Sequence, residues 1–266
     1  MQQPINKHRW YPPSTQPARP HGVYLLHGTG EHAARYERLA SSLASKGWIV
    51  GAHDHPGHGQ SAGQRGLIDP AGSLATQAAI QIQAFANETG SAPIVFGHSL
   101  GGVLATELVL AHQLPVSGLI LSAPAYVVRM SPVDRLKLKL LTLLAPRLCL
   151  DLGYSPVRLT HDEEQRRIAL ADPLIHGYKS STLVNWLLYS GRRCLDLADT
   201  LQVNTLLLIA DGDLVVDSDK TRFFASKVAD QYLTVHEYPD GYHELLNELP
   251  EIRDKVLVDI VQWLEK

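Results

Sequence analysis

Cysteine is nearly missing: Cys149 and Cys194 are the only two in 266 residues. That is too few for a disulfide framework, and their spacing does not suit a metal site. Both read as small buried apolar side chains, consistent with a reducing compartment. Excess positive charge is missing too. The formal net charge is −3 and Lys and Arg are scattered, so there is no basic stripe of the kind a phosphate backbone requires, which excludes nucleic acid as a partner. Residues 1–19 are polar and proline-rich, without an apolar run that could serve as a signal peptide or membrane span. The expected location is cytoplasmic, with peripheral membrane contact left open. Internal repeats and low-complexity segments are absent as well.

What is present, from His21 onward, is an alternation of short aliphatic runs with longer helical stretches, the pattern of a mostly parallel sheet flanked by helices, an α/β class. Strands are predicted at Gly22 to His27, Trp48 to His53, Pro93 to His98 and Val116 to Ser122. Between them lie helices at Arg35 to Lys46, Ala71 to Glu88 and Leu100 to Gln113, the second with Leu74, Ala78 and Ile82 at helical spacing. The alternation stops after Ala123. A Leu-rich, charged stretch broken by Pro132, Pro146, Pro156 and Pro173 follows, with no clear strand, and reads as a helical insertion. Alternation resumes with a strand at Val203 to Ala210, a helix near Asp219 to Val228, a strand at Tyr232 to Tyr238 and a helix from Pro250 to Glu265, where Pro250 suits the first helical turn. A single domain is expected, with a core of 1–124 and 194–266 and a cap of 125–193.

Gly97-His98-Ser99-Leu100-Gly101 is G-x-S-x-G between a strand and a helix that begins at once. Such an elbow strains the serine backbone, lifts its hydroxyl above the sheet edge and leaves no room for flanking side chains, which marks Ser99 as a nucleophile in an α/β-hydrolase fold. The Leu100 N–H, at a helix N-terminus, becomes one oxyanion donor. A second is expected from His27-Gly28-Thr29-Gly30, at the Thr29 N–H. A serine needs an imidazole to take its proton, and the imidazole needs a carboxylate to fix its tautomer. In this fold the chain order is Ser, acid, His. Of Asp211, Asp213, Asp217 and Asp219, Asp213 follows the glycine that turns off the strand and is preferred, with Asp211 next. His243 lies in a loop after the last strand, whereas His236 sits inside that strand, so His243 is the base.

Two other readings use overlapping residues. His53-Asp54-His55 with His58 resembles a metal site, but no later cluster supplies the remaining ligands, and hydrogen bonding within a tight turn explains the same residues. Gly28-x-Gly30-x-x-Ala33 followed by Asp54 fits a dinucleotide-binding loop, yet leaves Ser99, Asp213 and His243 without purpose. Neither metal nor cofactor is expected.

Together, His27 to His32, Asp54 to Ser61, Gly97 to Gly102, Asp172-Pro173-Leu174, Gly212-Asp213 and His243-Glu244 resemble the monoacylglycerol lipases over nearly the whole chain. The resemblance implies an eight-stranded core, a helical cap over the site, and hydrolysis of monoacylglycerols, with Glu31 and Arg35 at the head-group end. Similar proteins carry two antiparallel strands ahead of Gly22, the first of which is absent or reduced here. Thr29 replaces a common alanine. Lysophospholipase, broad carboxylesterase, non-catalytic ligand binding and peptidase remain as alternatives. A peptidase needs an acidic patch for a free amine, which the sequence does not reveal. The cap segment Leu136 to Leu144 either rests on a lipid surface or packs over the pocket, and a cap can do both.

Overall fold

The structure, a computed structural model, describes residues 4–15, 18–68, 73–111 and 114–266. Its elements run β1 Lys7–Trp10, β2 Val23–Leu26, α1 Glu37–Ala44, β3 Val50–His53, α2 Ser73–Thr89, β4 Ile94–His98, α3 Leu100–Leu110, β5 Gly118–Ser122, α4 Pro132–Leu144, β6 Cys149–Asp151, α5 Glu163–Ala171, β7 Tyr178–Ser180, α6 Ser181–Asp196, β8 Thr205–Ala210, α7 Ser218–Lys227, β9 Leu233–Tyr238 and α8 Pro250–Leu264. The predicted helix starts at Ala71 and Gly72 and the predicted helix end at His112 and Gln113 lie outside the described residues.

Seven strands form the main sheet in the order β1-β3-β2-β4-β5-β8-β9. All neighbours are parallel except β1, which pairs antiparallel with β3 in a register that sets Lys7 opposite His53. The resemblance implied eight strands; the described residues form seven in this sheet, and those ahead of Val23 supply one antiparallel strand. Strands such as Val23–Leu26 and Thr205–Ala210 are buried on both faces, which is why they read as unbroken aliphatic runs. Successive side chains serve opposite layers. Tyr24 and Leu26 join the core beneath α2, α3 and α6, while Val23 and Leu25 join the core beneath α1 and α8.

The stretch between β5 and β8 differs from expectation in two ways. It contains a short antiparallel pair, β6 with β7, whose three-residue strands are too short to leave a periodic signal. Its last helix, α6, runs through residue 193 to Asp196 and sends Leu183, Leu187, Cys194 and Leu195 into the main core. Cys194 is buried as expected, whereas Cys149 is half-exposed on β6. Ser131, Asp162 and Ser180 cap α4, α5 and α6 by accepting N–H groups of Asp134, Gln165 and Leu183. No residue of α4 is buried, and Leu143 and Leu144 are 79% and 76% exposed.

Candidate active site

Ser99 sits between β4 and α3 at φ 53°, ψ −115°, a conformation that non-glycine residues adopt only when their surroundings enforce it. The flanking glycines explain how the turn closes. A Cβ on Gly97 would strike the Gly101 carbonyl, and one on Gly101 would strike the Leu26 and His27 carbonyls at the end of β2. The elbow is therefore wedged against the neighbouring strand, and its hydroxyl stands at the carboxyl edge of the sheet.

There it meets the predicted partners. Ser99 Oγ lies 2.9 Å from His243 Nε2, and His243 Nδ1 lies 2.6 Å from Asp213 Oδ2. Asp213 Oδ1 accepts the N–H groups of Val215 and Val216 at 2.7 and 2.8 Å, so the apolar triplet after Asp213 folds back to hold its carboxylate. With Nδ1 donating to Asp213, Nε2 is left to accept the serine proton. All three side chains are buried. Burial opposes a charged imidazolium, but the Asp213 carboxylate outweighs it and raises His243 above the ordinary histidine range. Burial likewise opposes the Asp213 anion, and the charge and hydrogen bond of His243 override it and lower Asp213. The His98 ring packs tilted against His243, with centroids 4.8 Å apart. Burial, then the charge of His243, pushes His98 down to about 4, so it stays neutral beside the base.

The competing residues are occupied elsewhere. Asp211 pairs with Arg222 at the surface, Asp217 caps α7, and His236 pairs with Asp259 at 2.9 Å. Asp54, the acid of the dinucleotide reading, is buried and accepts the N–H groups of Ala33 and Gln60, both at 2.9 Å. A 3-10 turn, Ala33–Tyr36, also separates the glycine loop from α1, so no α-helix N-terminus faces that loop.

A cavity of about 180 Å³ opens over Ser99 and His243, walled on one side by Thr29 and Glu31 and on the other by Tyr154, Arg158 and Lys179. Residues 18–250 match the family described as Serine aminopeptidase, S33 (Hydrolase_4). The human protein named Monoglyceride lipase is 30% identical over 263 residues, covering 97% of this chain and 85% of its own. The Monoacylglycerol lipase of Mycolicibacterium smegmatis is 30% identical over 250 residues, covering 92% of this chain and 88% of its own. The crystal structure of Paleococcus ferrophilus monoacylglycerol lipase superposes with a TM-score of 0.86 at 27% identity, covering 98% of each chain. This chain belongs to the monoacylglycerol lipase family.

Within that family frame, the loop carrying Thr29 is held by Glu31, whose Oε1 accepts the Gly28 N–H at 2.5 Å and the Tyr36 hydroxyl at 2.7 Å. Arg35 binds Glu31 at 2.7 Å and grips both oxygens of Glu244, at 2.8 and 2.7 Å. Burial favours a neutral Glu244, and the Arg35 guanidinium reverses this, holding it well below the ordinary carboxylate range. Arg35 thus ties the loop of the expected oxyanion donor to the residue next to His243. Glu31 lines the cavity, and Arg35 lies behind it, bound to Glu31 and Glu244. Thr29 lines the cavity, and its buried hydroxyl finds no partner among the described residues. Leu100 opens α3 directly after Ser99.

Sequence reasoning missed the cap's side of the site. Tyr154 hydroxyl reaches Glu244 at 3.4 Å, and the Glu244 N–H donates to the Leu159 carbonyl at 2.8 Å. The Asp172 carboxylate pairs with His32 at 2.8 Å, and the His176 N–H donates to the Gly30 carbonyl at 2.9 Å. Of these, only Asp172-Pro173-Leu174 carried a sequence signal. Helix α4 sends no side chain to the wall of this cavity.

Proposed function

We propose that this chain hydrolyses monoacylglycerols to glycerol and fatty acid, with Ser99 as nucleophile, His243 as general base and then acid, and Asp213 orienting the imidazole. The observation that carries the reading is the buried relay Ser99–His243–Asp213 at 2.9 and 2.6 Å, opening onto a cavity. Ser99 Oγ attacks the acyl carbonyl while its proton passes to His243 Nε2. The N–H groups of Thr29 and Leu100 receive the developing oxyanion, each worth about 3 to 4 kcal/mol. Collapse expels the alcohol, which takes the proton from His243. Water, deprotonated by His243, then releases the acid from the acyl-enzyme.

Cavity size supports a division of the substrate. Ligand sites usually span roughly 300 to 1,000 Å³, so about 180 Å³ suits the alcohol portion and not a long acyl chain. Residues 125–193 serve as the cap, and the exposed face of α4, with Val133, Leu136, Leu140, Leu143 and Leu144 beside Lys137 and Lys139, is the surface for contact with lipid. No described helix is long and apolar enough to cross a membrane.

Against peptidase chemistry stand the two cavity carboxylates. Both are held by internal donors, Glu31 by Arg35, Tyr36 and Gly28 and Glu244 by Arg35, Tyr154 and Asn247, so a substrate amine would have to compete with Arg35 for them. Purified protein should release fatty acid from monoacylglycerol and label with a fluorophosphonate, and Ser99→Ala should lose both. Retention of near wild-type hydrolysis by Ser99→Ala would overturn the reading.

A further inference from the structure

Lys179 is the charged group of the cavity that the proposed reaction does not use. It stands on β7 opposite Leu150 and lines the same space as Ser99 and His243. Burial holds its ammonium below the ordinary lysine range, with the Asp151 charge acting against that, and among the described residues no hydrogen-bond acceptor engages it. Arg158 lies on the same wall. Its guanidinium donates to the Leu214 carbonyl and meets no carboxylate among the described residues. The cavity carboxylates Glu31 and Glu244 are engaged by Arg35, and among the described residues neither pairs with Lys179 or Arg158. An ammonium drawn partly out of water without an acceptor is unfavourable. An anionic or oxygen-rich group within the cavity would supply the acceptor that the protein does not.

We propose that Lys179, with Arg158 beside it, forms an anion-accepting subsite at the alcohol end of the cavity, so that the chain hydrolyses acylglycerols bearing a phosphate on the alcohol as well as neutral ones. This rests on the reading of Ser99 as nucleophile. The bond broken is still the acyl ester: water supplies hydroxyl to the acyl carbon and a proton to the glycerol oxygen, giving fatty acid and glycerol phosphate, with the phosphate ester untouched. A phosphate oxygen takes the ammonium's free donors through charge-assisted hydrogen bonds, whereas a glycerol hydroxyl takes them more weakly.

Steady-state kinetics on three esters of matched acyl length test this: a monoacylglycerol, the corresponding acylglycerol phosphate, and a glycerol half-ester of a dicarboxylic acid carrying its charge at the acyl tail. Wild-type protein should cleave the phosphate ester. Lys179→Gln should lower kcat/KM on it by roughly 10- to 100-fold more than on the neutral ester, chiefly through KM, and Lys179→Arg should restore most of the ratio. Wild-type protein that cleaves the neutral ester and not the phosphate ester would overturn the proposal. So would equal losses on both esters, or a loss selective for the tail-charged ester, which would place the cation at the acyl end. A wild-type chain inert on all three and unlabelled by a fluorophosphonate would remove the Ser99 reading, and this proposal with it.

Discussion

Lowering the pH from 7.5 to 5.5 should destabilise the fold by about 3 kcal/mol or more, through imidazoles packed behind and beside the nucleophile. The His27 ring packs tilted against His55 at 4.0 Å, His53 meets His55 edge-on at 5.0 Å, and His58 packs tilted against His27 at 5.5 Å. All of these, and His98, are buried. Burial first, then the charge of a neighbouring histidine, holds each below the ordinary range, with His98 at about 4 and His58 at about 3. In the unfolded chain each imidazole binds its proton near pH 6.5. Depressed groups cost stability as pH falls below that unfolded value, because only the unfolded chain takes up protons. At pH 5.5 an imidazole of pKa 6.5 gains about 1.4 kcal/mol from protonation. His58 and His98 together give about 3 kcal/mol, and His27, His53 and His55, lowered in the same direction, add to it, a large share of a typical domain's whole stability of about 5 to 15 kcal/mol. His243, whose folded value is raised, works oppositely: its contribution grows as pH falls through that value and is constant below about 6.5. Urea unfolding followed by circular dichroism at pH 7.5 and 5.5, at one ionic strength, measures the difference. A change under about 2 kcal/mol would refute the reasoning.

Removing the Arg35 guanidinium leaves Glu31 and Glu244 buried and mutually repelling, so Arg35→Met should cost about 3 to 5 kcal/mol and lower Tm by roughly 10 °C; scanning calorimetry would detect a smaller effect. The base must be neutral to accept the serine proton, and His243 titrates above 6.5, so kcat/KM should fall on the acid side with an apparent pKa above that value, and a limb centred below 6 would contradict it. Asp213→Asn should reduce kcat by about 10⁴-fold by favouring the wrong tautomer, with circular dichroism confirming retained fold. Replacing the exposed Leu140 and Leu144 by serine should reduce hydrolysis of an emulsified ester more than that of a soluble short ester, and equal losses would remove the lipid-contact role of α4.

The core strands were legible because each is buried on both faces and so reads as an uninterrupted aliphatic run, as in Thr205–Ala210. The elbow was legible because its glycines answer to backbone collisions that any side chain would create, at Gly97 and Gly101. Asp213 and His243 were found by chain order and by their loops after β8 and β9. The β6–β7 pair escaped because three-residue strands carry no periodicity, and their partners lie far apart in the chain. The pairing of Arg35 with Glu244 was not legible, because sequence places a guanidinium near the site without showing which carboxylates will claim it. Tyr154, Arg158 and Lys179 escaped for a related reason: they reach the cavity from cap segments whose placement depends on tertiary packing.

The account's central claim is that Ser99 becomes acylated. Rapid mixing with a chromogenic ester, followed by acid quench and peptide mass mapping, should reveal one acyl group per chain on the peptide containing Ser99, with no adduct in Ser99→Ala. Turnover that proceeds with no adduct, or with the acyl group on another residue, would contradict it.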